Sequence, residues 1–105
     1  MKCRKLVRHK IPTVIRESGR IPVVRRANDN ELPYLLMAKF IEEINEFFQN
    51  PCAEEAADIY EVLHTLCMCH KISMNDVHEE VNRKYDEKGG FFAGIILENI
   101  REDNE

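Results

Sequence analysis

Residues 40–70 read FIEEINEFFQNPCAEEAADIYEVLHTLCMCH, and this stretch decides the fold because a short break in it separates two strongly helical segments. It contains no Lys or Arg. Its seven carboxylates are Glu42, Glu43, Glu46, Glu54, Glu55, Asp58 and Glu61. Like charges one turn apart on a helix repel each other, so this negative charge needs positive charge from elsewhere. We expect a divalent cation to supply it.

The spacing of apolar residues predicts a long helix on each side of this break. The first is expected over about 31–48, with a stripe formed by Leu36, Phe40, Ile44 and Phe47. Asn50 and Pro51 are suited to the N-cap and first turn of the second helix, which is expected to end near His70. After Asp58 that helix is apolar nearly all round, so we expect it to be central. Helices joined by so short a loop pack antiparallel.

The flanking segments complete the predicted domain. Residues 1–28 form a basic arm, extended at first and then a short helix from Pro12 to about Gly19. Residues 30–88 form the helical core, in which Ser73 caps a third helix that Gly89 stops. That helix is expected to bury Met74, Val77, Val81 and Tyr85. Residues 89–105 form a C-terminal segment, whose apolar part, 91–97, is expected to cover the helices as a strand or extended chain.

Length and composition favour one domain over residues 1–105 in a soluble, cytoplasmic protein. A chain of 105 residues matches the usual size of a single domain. No apolar run approaches the roughly 20 residues of a membrane span, and the N-terminus lacks the apolar core of a secretory signal. The four cysteines show no disulfide pattern. We therefore expect an all-α antiparallel helical hairpin bundle, which a second copy completes because the second helix is apolar all round.

Charge is segregated along the chain. Residues 1–26 carry nine Lys and Arg against one acid, whereas the whole chain has a net charge of −4. A basic arm can bind nucleic acid, but this arm has no aromatic residue to stack on bases and the chain is acidic overall. We therefore do not expect a nucleic-acid partner. The simplest role for the arm is to neutralise the acidic helices, within the chain or across a dimer.

Two pairs of carboxylates at helical spacing form the candidate site. Glu43 and Glu46 lie three residues apart on the first helix, as do Glu55 and Asp58 on the second. An antiparallel hairpin brings these four groups together across a narrow gap. Carboxylate oxygens suit hard cations, Mg²⁺ first and Mn²⁺ next, and Mg²⁺ held in this way commonly bridges to substrate phosphates. The alternative is a solvated acidic face that pairs with the basic arm.

Residues that could bind phosphate occur in two places. On the third helix, Lys84 and Lys88 share a face, beside Asn82. The arm adds Lys5, Arg8 and Lys10. These cations predict a substrate that carries phosphate.

Three ordered motifs resemble one family. Glu42-Glu43-x-x-Glu46 followed by Glu55-x-x-Asp58 resembles the EExxE…ExxD motif of the all-α MazG-like nucleotide pyrophosphohydrolases. Residues 5–12, KLVRHKIP, resemble the KLVRDKIP opening of a subfamily labelled phosphoribosyl-ATP pyrophosphohydrolase-like. Residues 84–91, KYDEKGGF, resemble that subfamily's K…RGGF ending, with Lys88 in place of the customary Arg and His9 in place of Asp in the opening.

The resemblance implies hydrolysis of the α–β phosphoanhydride of nucleoside triphosphates to a monophosphate and pyrophosphate, by a dimer or tetramer. It implies four Mg²⁺ ligands, Glu43, Glu46, Glu55 and Asp58. Glu42 would orient water, which makes Glu42, Glu43 and Glu46 the catalytic set. Lys84 and Lys88 would contact the triphosphate. Phosphoribosyl-ATP is an alternative substrate that rests only on the subfamily label.

Other functions are less well supported. His64, Cys67, Cys69 and His70 suggest zinc, but Cys67 and Cys69 would point apart on a helix and form no tetrahedral site. Di-iron bundles need two Glu-x-x-His pairs, and this chain has one, at Glu61 and His64. The third alternative is a non-enzymatic helical module for oligomerisation, whose acids pair with the arm.

Overall fold

The chain is helical throughout its regular structure. A computed structural model describes residues 5–103 and contains, within that range, α1 (Ile11–Glu17), α2 (Leu32–Gln49), α3 (Ala53–Cys69) and α4 (Met74–Lys88), with no strand. Over the same residues, no helix combines the length and apolar character that a membrane crossing requires. The chain divides into two compact units, Met1–Ile72 and Ser73–Glu105. The predicted all-α class is confirmed.

Local signals in the sequence explain where α1 and α2 begin and end. Pro12 lies in the first turn of α1, and Gly19, with φ +87°, follows the end of that helix. Before α2, Asn28 and Glu31 bond reciprocally: the Glu31 N–H donates to Asn28 Oδ1 at 2.9 Å, and the Asn28 N–H donates to Glu31 Oε1 at 3.1 Å. This exchange satisfies two backbone donors at the start of α2. Arg25 anchors Glu31 from the arm.

The break between α2 and α3 is longer than expected. The prediction that Asn50 caps α3 and Pro51 starts it is wrong, because the chain is still extended at Cys52 (φ −160°, ψ 166°), which is the N-cap. The first helical hydrogen bond runs from the Ala56 N–H to the Cys52 carbonyl at 3.1 Å. Asn50 instead ends α2, and its N–H donates to the Glu46 carbonyl at 3.0 Å.

The first unit is built on the α2–α3 hairpin, as predicted. Its described residues bury three apolar side chains, Leu36, Val62 and Cys67. In the single chain α3 is only partly covered, because Tyr60, Leu63 and Met68 are exposed, and the second copy expected to make it central stays a prediction. The physical reason is geometric: α2 covers one face of α3, and an apolar surface that continues round the helix needs a second covering element.

In the second unit the ends of α4 follow the prediction. The Asp76 N–H donates to Ser73 Oγ at 3.1 Å, and Gly89, with φ +77°, ends the helix. The expected buried face of α4 is not formed in the single chain, since Val81 and Tyr85 are more than half exposed. Of the two forms predicted for 91–97, a strand or an extended cover, the strand is absent from the described residues, and the segment is not buried in the single chain. The apolar residues after α4 are at least three-quarters exposed: Phe91, Phe92, Ile95, Ile96, Leu97 and Ile100.

Candidate metal centre

The hairpin brings the predicted carboxylates together in two sets of three, and neither set in the described chain contains all four predicted ligands. Each member of a first set, Glu42, Glu43 and Glu46, offers an oxygen within 4.8 Å of the others. A second set across the helices, Glu43, Glu55 and Asp58, meets the same limit. Glu43 belongs to both sets, so the two clusters share one carboxylate. In the described part of the chain, no such group includes a Cys or His.

Glu43 is the buried centre of this arrangement. It is 5% exposed, which is unusual for an acid because an isolated buried charge is costly. Its Oε1 lies 3.1 Å from Lys39 Nζ. Its Oε2, and likewise Oε2 of Glu55, is buried without a hydrogen-bond partner among residues 5–103. Buried oxygens of this kind on two facing helices fit a hard cation, whose preferred ligands are carboxylate oxygens.

The pKa of Glu46 is raised by the carboxylates around it. The negative charge of Glu43 is the largest of the influences that raise the pKa of Glu46 above its usual range. Desolvation, a hydrogen bond with Glu43, and the charges of Glu55 and Glu42 act in the same direction. Carboxylates that repel one another hold protons more tightly until a cation replaces those protons.

Two cationic side chains already contact the acids. Arg8 reaches from the arm and donates from Nη2 to Asp58 Oδ1 at 2.6 Å, and this hydrogen bond raises the pKa of Arg8. Lys39 lies one turn before the first set on α2, with Nζ 3.4 Å from Glu42 Oε1 as well as near Glu43. Burial opposes the charged form of Lys39, but the contacts with Glu43 and Glu42 outweigh it and raise its pKa.

Lys39 is the residue that the sequence analysis missed. It immediately precedes the stretch 40–70, which itself contains no Lys or Arg. Its spacing to Glu42 and Glu43 is i,i+3 and i,i+4, which on a helix places side chains on one face. A search for bases one turn before the first acid would have found it.

The remaining site predictions fall in three places. Lys5 and Lys10 lie exposed in the segment before α1, where Lys10 is the N-cap residue. Asn82, Lys84 and Lys88 are exposed on α4, within the second unit. Glu54 and Glu61 lie on α3 outside both carboxylate sets, and Glu61 Oε2 is 3.9 Å from His64 Nδ1.

The fold and site define an all-helical protein with a shared carboxylate cluster on a two-helix hairpin. Neither a protein-family model nor a solved structure matches the chain. A stretch of 42 residues, 40% of the chain, is 50% identical to an uncharacterized protein of Mycolicibacterium smegmatis. The matched stretch covers 43% of that protein, so the chain spans less than half the length of this relative.

Proposed function

We propose that the chain is a Mg²⁺-dependent nucleoside triphosphate pyrophosphohydrolase that serves the nucleotide pool. The observation that carries this proposal is the buried Glu43, whose Oε2 has no partner among the described residues and which belongs to both carboxylate sets. A buried acid shared by two acidic clusters is costly for a purely structural element, but it suits a cation site. The resemblance of the same acids to the MazG-like motif supports the reaction class.

The proposed ligands are Glu43, Glu46, Glu55 and Asp58, with Mg²⁺ as the first choice and Mn²⁺ as the second. When bound, such a cation neutralises phosphate charge and makes a coordinated water more acidic. Glu42, 3.4 Å from Lys39 Nζ, would orient the attacking water and accept its proton. Lys39 would hold the adjacent Glu43 in place, since its Nζ lies 3.1 Å from Glu43 Oε1.

The proposed substrate contacts come from the basic residues. In the first unit, Lys5 and Lys10 would bind phosphate. For α4 of the second unit, the resemblance implies the same role for Lys84 and Lys88, with Asn82 as a neutral donor. All five residues are exposed. Lysines bind phosphate as point charges, which tolerates variation in the rest of the nucleotide.

We further propose that the chain works as a homo-oligomer in the cytoplasm. A second copy would cover the exposed apolar residues of each unit, the uncovered face of α3 in the first and residues 91–97 in the second, because exposed apolar surface is typical of interaction sites. The free thiols of Cys52, Cys67 and Cys69 agree with a reducing compartment.

A non-enzymatic oligomerisation module is the second candidate, and the Arg8–Asp58 ion pair is the observation that favours it. In such a module, the arm and Lys39 would neutralise the carboxylates permanently, and no metal ion would bind to them. The two candidates differ in their response to metal: only the pyrophosphohydrolase needs a divalent cation, which would stabilise its folded state by mass action.

The test of the proposed function is product analysis. The purified chain is incubated with Mg²⁺ and each of the (d)NTPs and phosphoribosyl-ATP, with and without EDTA. We expect a monophosphate and pyrophosphate in equal amounts, and none with EDTA. Release of inorganic phosphate with a diphosphate would contradict α–β cleavage. No turnover of any substrate, together with no binding of Mg²⁺ or Mn²⁺, would favour the module.

A further inference from the structure

The two cations that contact the carboxylates are attached to the fold in different ways. Lys39 belongs to α2 itself, one turn before Glu43, and its side chain is 22% exposed. Arg8 lies in the irregular segment before α1, its side chain is 57% exposed, and its contact with Asp58 spans 50 residues of sequence. Lys39 is therefore held at the cluster by its helix, whereas Arg8 is held there mainly by the ion pair.

Arg8 contacts the part of the cluster where metal is expected. Asp58 is a member of the second set, together with Glu43 and Glu55. These two glutamates each bury an oxygen that has no partner in residues 5–103. Arg8 satisfies Asp58 and leaves those two oxygens unsatisfied. A compact divalent cation can contact all three carboxylates at once, which a guanidinium on Asp58 does not do.

From this geometry we propose that Arg8 is a displaceable counterion, which leaves Asp58 when a divalent cation binds to Glu43, Glu55 and Asp58. The inference rests on the proposed metal site and adds a regulatory contact to it. Metal binding frees the guanidinium of Arg8, which is close in sequence to the exposed Lys5 and Lys10. Arg8 is then available for a second ligand only after the metal has bound.

The exchange is energetically easy. An exposed ion pair adds little to the free energy of unfolding of a domain, so little stability is lost when the pair separates. Its competition with metal therefore corresponds to about a two- to fivefold loss of metal affinity. Removal of Arg8 should recover that factor.

The first experiment is a calorimetric titration of Mn²⁺ alone into the wild-type chain, Arg8→Gln and Arg25→Gln. Arg25 is the matched control, because it forms an arginine–carboxylate pair with Glu31 away from the cluster. We expect Arg8→Gln to bind Mn²⁺ about two- to fivefold more tightly than wild type, and Arg25→Gln to match wild type. Equal or weaker binding by Arg8→Gln would overturn the proposal, since Arg8 would then hold Asp58 in place for the metal.

The second experiment follows the Arg8 side chain in the wild-type protein, with Asp58→Asn as the reference for an unpaired guanidinium. The ¹H–¹⁵N resonance of Arg8 Nε is recorded as Mg²⁺ is added. We expect it to move to the position seen in Asp58→Asn. A resonance that stays at its paired position when Mg²⁺ is saturating overturns the displacement but leaves the metal site intact. Absence of any Mg²⁺ or Mn²⁺ binding by wild type overturns both.

Discussion

Lys39 contacts only one of the two carboxylate oxygens of Glu43. Its Nζ lies 3.1 Å from Glu43 Oε1 one turn along α2, whereas Oε2 of the same carboxylate is buried without a partner in the described chain. A buried carboxylate needs both oxygens satisfied to offset its desolvation. The unsatisfied oxygen is therefore suited to a further cation.

Metal should stabilise the fold through the facing carboxylates. At a Mn²⁺ concentration ten times the dissociation constant, the free energy of unfolding should rise by about 1.4 kcal/mol. Glu55→Gln should lose most of this gain, because it removes the negative charge of a carboxylate whose Oε2 is buried without a partner in the described residues. Glu54→Gln, one residue away and outside both sets, should keep it. Thermal melts with and without Mn²⁺ measure the effect. An equal gain in both variants would contradict the assignment.

Turnover should depend on Glu46. Glu46→Gln should lower kcat for the preferred nucleotide by about 100-fold or more, because it removes a negative ligand while keeping the shape of the side chain. The far-ultraviolet circular dichroism should be unchanged, since Glu46 is exposed. Glu61→Gln, on α3 outside both sets, is the control and should retain activity. Full activity in Glu46→Gln would exclude it as a ligand.

Without metal, Glu46 should make stability depend on pH. Its pKa is raised in the folded state above the ordinary value of 4.5, chiefly by the charge of Glu43, so the folded protein holds this proton more tightly than the unfolded chain does. The resulting stabilisation is complete below pH 4.5 and is lost as pH rises through the folded-state pKa.

Denaturant unfolding in EDTA, for wild type and Glu46→Gln, tests this dependence. The unfolding free energy of wild type minus that of the variant should fall as pH rises from 4.5 toward neutrality. Glu54→Gln should show no such trend relative to wild type. A difference that rises with pH would mean that the pKa of Glu46 is lowered in the folded protein.

The hairpin should depend on its small core. Leu36 is 4% exposed, and Leu36→Ala should reduce the free energy of unfolding by about 2–5 kcal/mol, because it leaves a cavity between α2 and α3. Its neighbour Met37 is 55% exposed, and Met37→Ala should change that free energy by only about 0.5 kcal/mol. Urea denaturation of both variants checks the contrast. Equal losses would mean that another surface covers Met37.

The C-terminal apolar segment should form part of the contact between copies. Ile95→Glu should lower the mass measured by sedimentation to that of one chain, because a charge would have to be buried in the contact. Val23→Glu, at an equally exposed position in the arm, should leave the assembly intact. An assembly that survives Ile95→Glu would place the contact elsewhere.

Helix ends that depend on residues close in sequence were predicted correctly. The ends of α1 and α4 follow from Pro12, Ser73 and Gly89, whose backbone preferences act within a few residues. The prediction was wrong at Asn50 and Pro51, because the extended backbone persists to Cys52. For 91–97, where a strand or an extended chain was expected, no strand forms in the described residues, since β-branched and aromatic residues favour a strand only where another strand pairs with them.

By itself, the sequence predicts that Glu43, Glu46, Glu55 and Asp58 lie at the same end of the hairpin, because helical spacing and a short break dictate which faces of a hairpin approach each other. The tertiary structure divides them between two sets that share Glu43. Only the tertiary structure decided which cationic side chains pair with these carboxylates. It buries Glu43 between the helices, turns one of its oxygens toward Lys39, and brings Arg8 onto Asp58 from 50 residues away. Burial and long-range ion pairing depend on the distances between elements, which no local pattern encodes.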